Sequence, residues 1–139
     1  MRKVRGYPER RGAVEYIGGF FAVNTDALEW EDGSAILGLP EGVEIKAIRE
    51  GYDEVSERTE RFVRFPPGYV EPRHEHDHYH CIYILEGEMH VDGKVLKAGD
   101  YIYGGGAGNA HGPYEYPVGV TVFTCGRAKK MNSLHRRAD

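Results

Sequence analysis

Four of the chain's seven histidines fall within seven positions, where His74, His76, His78 and His80 alternate with other residues. Side chains alternate faces along an extended backbone, so all four imidazoles would point the same way. Imidazole nitrogens suit zinc, iron, copper, nickel or cobalt, whereas magnesium and calcium prefer oxygen donors. A straight strand rises about 3.3 Å per residue, which would leave His74 and His80 roughly 20 Å apart, too far to share bonds of about 2 Å to one ion. The chain must therefore turn. The turn is expected around Asp77 to Tyr79, with His74 and His76 ending one strand and His80 opening the next, Cys81-Ile-Tyr-Ile-Leu85. The plain alternative is a solvated, His-rich loop. The β-type segments on either side and the Pro66-Pro67-Gly68 turn before it favour a built site.

The segments that must position these histidines read as short strands. Val43-Glu-Ile-Lys-Ala-Ile48 alternates apolar and polar residues, Thr59 to Phe65 is again β-like, and Asp92-Gly93 between Glu88–Val91 and Lys94–Lys97 is a strong hairpin signal. Gly99 to Tyr103 reads as a strand, Gly104 to Gly108 as a glycine-rich loop, and Val118 to Thr124 as the closing strand. Asn24, Thr25 and Asp26 are good caps for one short helical turn before Trp30. No long helix, repeat or internal linker is evident, so the whole of 1–139 is expected to be a single domain.

Composition bounds the function classes. With 40% apolar and 29% charged residues the chain is ordinary for a globular domain, and 19 glycines and 10 tyrosines tilt it toward turn-rich β structure. Cys81 and Cys125 are too few for a disulfide scaffold and are expected as buried, reduced thiols. No signal-peptide core or membrane span is present, so a cytoplasmic location is expected. Residues 1–12 carry five basic side chains against Glu9 and residues 127–139 carry five against Asp139, which leaves −12 on the stretch between. Without interleaved aromatics or a nucleic-acid motif these arms read as solvated, frayed tails, and His135 among them as inert. No nucleic-acid or membrane partner is expected.

The histidine segment resembles the first motif of the cupin superfamily: Gly68, five residues, His74-Glu-His76, three residues, His80, six residues and Gly87. The spacing fits throughout, but His80 stands where the motif has glutamate. Gly99-Asp100 through Asn109-Ala-His111 resembles the second motif, with about one extra residue and no proline, and makes His111 the matching ligand. The resemblance spans roughly Asn24 to Thr124. It implies an all-β fold, a small double-stranded β-helix of jelly-roll type, with a metal at the mouth of the barrel. Within the superfamily, Val23 to Trp30, Leu39 to Ile48, Val63 to Gly68 and His111-Gly-Pro113 resemble the ChrR-like, anti-sigma-factor-type cupins. Their relatives include dioxygenases that cleave acetylacetone and dihydroxyacetophenone using ferrous iron. No sigma-binding helical domain is expected beside this one, which favours an enzyme over a regulator.

The expected metal ligands are therefore His74, His76 and His111, with His80 as a fourth. Neutral imidazole does not cancel the ion's charge, so an ion without the motif's glutamate stays a stronger Lewis acid toward an anionic substrate such as an enolate. Three histidines leave open positions, whereas four tight ones around zinc would close the site, so His80 decides between the two. His78 and Asp77 are placed in the turn near the rim, where His78 either transfers protons or faces solvent. Iron(II) is the expected ion, zinc the next, with nickel, cobalt and copper also compatible. The reading that follows is a dioxygenase acting on a β-dicarbonyl or hydroxyketone. Two alternatives stand beside it: a zinc cupin that senses or supports without catalysis, and an oxygen-independent isomerase or decarboxylase. His90 reads as structural, and Arg64 as an exposed strand residue. Ile82 and Ile84 are expected in the pocket wall, and Tyr101 and Tyr103 in the core. A homodimer, common among cupins, would use residues 14–23.

Overall fold

The computed structural model describes residues 14–52, 57–77, 79–106, 108–128 and 135–138. It opens with a hairpin, β1 (Val14–Ile17) and β2 (Phe20–Val23), after which Asn24 caps a single 3₁₀ turn over Thr25–Ala27 by accepting from the Asp26 N–H. β3 (Glu31–Asp32) and the one-turn helix α1 (Ser34–Leu37) lead to the long pair β4 (Glu44–Tyr52) and β5 (Glu57–Phe65). Then come β6 (Tyr69–Glu71), β7 (His74–Glu75) and β8 (Tyr79–Val91), followed by β9 (Lys94–Lys97) and β10 (Tyr101–Gly105). β11 (Tyr114–Tyr116), β12 (Val120–Ala128) and a last short strand, β13 (Arg136–Arg137), complete the series.

Nine of these strands form one antiparallel sheet that runs β3-β4-β5-β12-β8-β11-β6, with β9 and β10 also paired to β8. A strand has two edges, and β8 pairs on both in its first half and again at its end. Its first half lies between β12 and β10, and its second half is bordered by β9 and β11. The sheet has to curl to accommodate four partners, and the curl makes a barrel-like fold.

Alternation decides what fills it. Ile45, Val63, Phe65, Ile84, Met89, Tyr116, Val120 and Val122 point inward and are nearly inaccessible, with Phe65 stacked on Tyr116 at 4.3 Å between ring centres. Gly87 lets β8 pass close to the turn before β12. Its φ is +84°, and a Cβ there would overlap the Gly119 carbonyl oxygen and lie 2.7 Å from Val120 Cα.

Three expectations change. Tyr101 and Tyr103 are not core residues: Ile102 pairs with Ile82 and takes the inward face of β10, which turns the two tyrosines outward, 60% and 66% exposed. The strand also runs on through Gly104 and Gly105, held by pairing to His80 and Tyr79, although glycine favours loops. Finally, residues 135–138 are not a frayed tail. β13 pairs with β7, and Arg136 forms a 2.6 Å ion pair with Asp77.

Cys81 and Cys125 are register partners on β8 and β12, in no disulfide, and half-buried rather than buried as expected, because both strands turn part of that face toward solvent. Arg64 faces outward, 2.9 Å from Glu44 and 4.0 Å above the Trp30 ring. His90 stays on its hairpin, 3.0 Å from Glu88. Residues 1–12 and His78 lie outside the described residues.

Candidate metal centre

His74 and His111, 37 positions apart, are tied backbone to backbone: the His74 N–H donates to the His111 carbonyl at 2.9 Å, and the His111 N–H to the His74 carbonyl at 2.8 Å. Gly112 permits this approach, with φ at +93° and room for a Cβ only 3.3 Å from Arg73 Cα. His76 follows β7 and is fully buried, and the turn through Asp77 brings His80 back on β8. His76 and His80 come together, their rings 4.7 Å apart, as the expected reversal of the chain requires. One donor atom from each of His74, His76 and His111 falls within 4.8 Å of the others, a group that could hold a metal ion.

The tautomers are set by neighbouring carbonyls. His74 Nδ1 is 2.7 Å from the Pro72 carbonyl oxygen and His111 Nδ1 is 2.8 Å from that of Asn109, so each Nδ1 carries the proton and each Nε2 keeps its lone pair. The Asn109 side chain holds this loop by donating to the Gly105 carbonyl at 3.1 Å. His76 Nε2 is buried, with no hydrogen-bond acceptor or donor in reach of that atom among the described residues. Its ring is enclosed by those of His80 (4.7 Å), His111 (4.8 Å) and His135 (4.9 Å). His80 stands beside the converging group rather than within it.

Two residues join the cluster that sequence reasoning did not place there. Glu71, buried on β6, accepts a 2.6 Å hydrogen bond from the Tyr116 hydroxyl and brings Oε2 to 3.3 Å from His74 Nε2. His135, taken from sequence as inert, comes to 3.9 Å from the same carboxylate oxygen, and its ring is 4.4 Å from that of His74. Glu71, His74 and His135 form a second group of donors that could hold an ion.

Burial pushes Glu71 up to about 7, against the lowering effect of the Tyr116 hydroxyl. Burial likewise pushes His74 down to about 4, opposed by the Pro72 carbonyl and reinforced by His111. Between about pH 4 and 7 the Glu71–His74 contact is therefore between neutral groups rather than an ion pair.

Two adjoining cavities share Glu71, His80 and Ile82 in their walls. The outer one is lined by His74, His111, Ile102 and Tyr114. The inner one is largely apolar, formed by Leu37, Leu39, Val63, Met89 and Val122, with Thr59, Arg61 and Thr124 among them. Ile82 is in the wall as expected, while Ile84 is absorbed into the core. Arg61, 6% exposed, shares the inward face of β5 with Thr59, Val63 and Phe65. The alternation of that strand was the signal for it, since Val63 and Phe65 point inward two and four residues on.

A profile of the ChrR cupin-like domain matches residues 19–129. The chain belongs to the ChrR cupin-like family. Among solved structures this cupin is similar to an RmlC-like cupin from Shewanella frigidimarina NCIMB 400, with 24% identity over 75% of this chain and 86% of that one and a TM-score of 0.55. It is similar to an acetylacetone dioxygenase from Acinetobacter johnsonii, with 16% identity, coverage of 90% and 79%, and a TM-score of 0.58. A Thermotoga maritima protein predicted to be an oxalate decarboxylase gives 22%, coverage of 76% and 96%, and a TM-score of 0.57. At these identities the likeness is one of fold. No curated protein sequence matches the chain. No helix among the described residues is long and apolar enough to cross a membrane.

Proposed function

We propose that this cupin is a mononuclear iron(II) dioxygenase that cleaves a β-dicarbonyl or hydroxyketone. The observation that carries the reading is the convergence of His74, His76 and His111 where two cavities adjoin, one of them largely apolar. The donors fit a divalent transition-metal ion: borderline nitrogen ligands, buried, with the tautomers of His74 and His111 fixed by backbone carbonyls. His74, His76 and His111 hold the ion, with His80 beside it as the fourth imidazole. When bound, the ion supplies Lewis-acid polarisation of the substrate's carbonyl oxygens and one-electron chemistry toward dioxygen.

The chain's own residues do the rest. Leu37, Val63, Met89 and Val122 take the hydrocarbon part of the substrate and exclude water. The Arg61 guanidinium in the same wall offsets the negative charge of an enolate. For a substrate RCOCH₂COR′, cleavage with one dioxygen gives RCOOH and OHC–COR′. Both oxygen atoms are kept in the products and no external reductant is needed.

A second reading is a zinc-holding cupin without turnover. The crowding of His80 and His135 around His76 supports it, because four tight imidazoles would close the ion's shell. An isomerase or decarboxylase would turn over without oxygen. A homodimer formed through the β1–β2 hairpin is supported by the exposure of Ile17 (58%) and Phe20 (76%).

The test is oxygen uptake by protein purified without air and reconstituted with ferrous iron, across β-diketones and aromatic hydroxyketones, with the zinc form as control. Uptake that needs both iron and a ketone, and that is lost in His74→Ala, is expected. Retained zinc with no uptake across the panel would move the reading to the non-catalytic cupin, and turnover under nitrogen to the oxygen-independent one.

A further inference from the structure

We propose that His135 is a further protein ligand of this ion, delivered by a strap of residues 135–138, so that metal binding and closure of the strap are one event. The inference rests on the metal reading above and deepens it.

His135 is prepared as His74 and His111 are. Its Nδ1 lies 2.7 Å from a backbone carbonyl, that of Leu37, so the proton is on Nδ1 and Nε2 keeps the lone pair. Three imidazoles from three segments thus share one arrangement, in which a carbonyl holds Nδ1–H. The Leu37 carbonyl also accepts the His135 backbone N–H at 2.7 Å, which fixes the residue at both ends.

The two donor groups share His74. With Nδ1 already donating to Pro72, His74 has one lone pair to give, so the two groups describe one ion and not two. An ion held by His74 therefore has the donors of the second group, His135 among them, beside it. His135 is 9% exposed there, with its ring near both His74 and His76. A fourth imidazole from the strap leaves His80 facing the cavities, whose walls it lines.

The strap is otherwise held at its edges. Arg136 and Arg137 pair with Glu75 and His74, the Ala138 N–H donates to the Arg73 carbonyl at 3.0 Å, and Arg136 bonds Asp77 at 2.6 Å. Every one of these ties lands on residues 73–77, the segment that carries His74 and His76. Exposed ion pairs contribute little against the entropy of ordering a segment, and a metal–nitrogen bond supplies what they lack.

The test uses cobalt(II) alone as probe, with d–d absorption reporting coordination geometry and amide hydrogen exchange following residues 135–138. Native protein should bind cobalt and slow exchange at the His135 and Ala138 amides. His135→Gln should weaken binding at least about tenfold, alter the d–d band and abolish the slowing. Arg136→Ala, which loosens the strap and keeps the ligand, should retain the band.

Affinity and band unchanged in His135→Gln would overturn the proposal and leave the metal reading intact, with His135 merely capping Leu37. If His135→Gln does not fold, exchange of the native strap decides: rates identical with and without cobalt overturn the proposal. No cobalt binding by the native protein would overturn the metal reading itself, and the strap's role with it.

Discussion

Glu71→Gln swaps a buried carboxyl for its neutral near-isostere. The glutamine oxygen can accept from the Tyr116 hydroxyl as Oε1 does, and its amide can face His74 Nε2 where Oε2 now lies at 3.3 Å. In the folded, metal-free chain burial raises the Glu71 pKa from the usual 4.5 to about 7. As pH rises between those values the unfolded chain releases this proton while the folded chain keeps it. The unfolded state then binds one proton fewer, and the free energy of unfolding falls by about 1.4 kcal/mol per pH unit. The stabilisation is fully present below 4.5 and lost as pH rises through about 7. Over the interval the loss is about 3 kcal/mol. His74, held neutral down to about 4, contributes in the opposite sense to both chains and drops out of their difference.

The variant and the native chain should therefore unfold alike near pH 4.5 in urea, whereas at pH 8 the variant should be the more stable by about 3 kcal/mol, a midpoint shift of about 1 M or more. Trp30 fluorescence with a chelator present would follow both transitions. A stability difference that does not change with pH would refute the reasoning, because it would mean that Glu71 ionises as readily in the fold as in water.

Gly87→Ala places a methyl against the Gly119 carbonyl on a backbone with φ +84°, and should cost about 3 kcal/mol or more, seen as a Tm lower by roughly 10 °C. Arg64→Met should leave oxygen uptake within about twofold while changing Trp30 emission, since the guanidinium lies over that ring and outside both cavities. Arg61→Met, in contrast, should raise KM for a β-diketone at least about tenfold, the loss expected when a charge-assisted contact to the substrate is removed, and an unchanged KM would take Arg61 out of the substrate site.

What was legible in the sequence is what short-range geometry encodes. The spacing from Gly68 to Gly87 and on to His111 located the histidines, and the Asp92-Gly93 turn and Asn24 cap stand where local chemistry put them. Register is not local. Tyr-Ile-Tyr offers two faces of similar apolarity, and only the pairing of Ile102 with Ile82 decides which turns inward. Glu71 carries no local signal of burial, which comes from Tyr116, 45 positions later, supplying its hydroxyl. His135 carried no signal at all, because its basic neighbours point to solvent by composition and its partners on β6 and β7 are some 60 residues away in sequence.

The place of β12 in the sheet has a consequence for synthesis. The strand inserts between β5 and β8, which precede it in the chain, so the sheet stays open until residues 120–128 have been made. His74 and His76 emerge well before that, without His111 or His135 to converge with. During translation the nascent chain therefore offers a passing ion only the unfolded run from His74 to His80, without the fold that makes His74 and His76 converge with His111, and so a poorer competitor for scarce metal. Loading belongs after translation, and a chain arrested short of residue 111 should copurify with no stoichiometric ion.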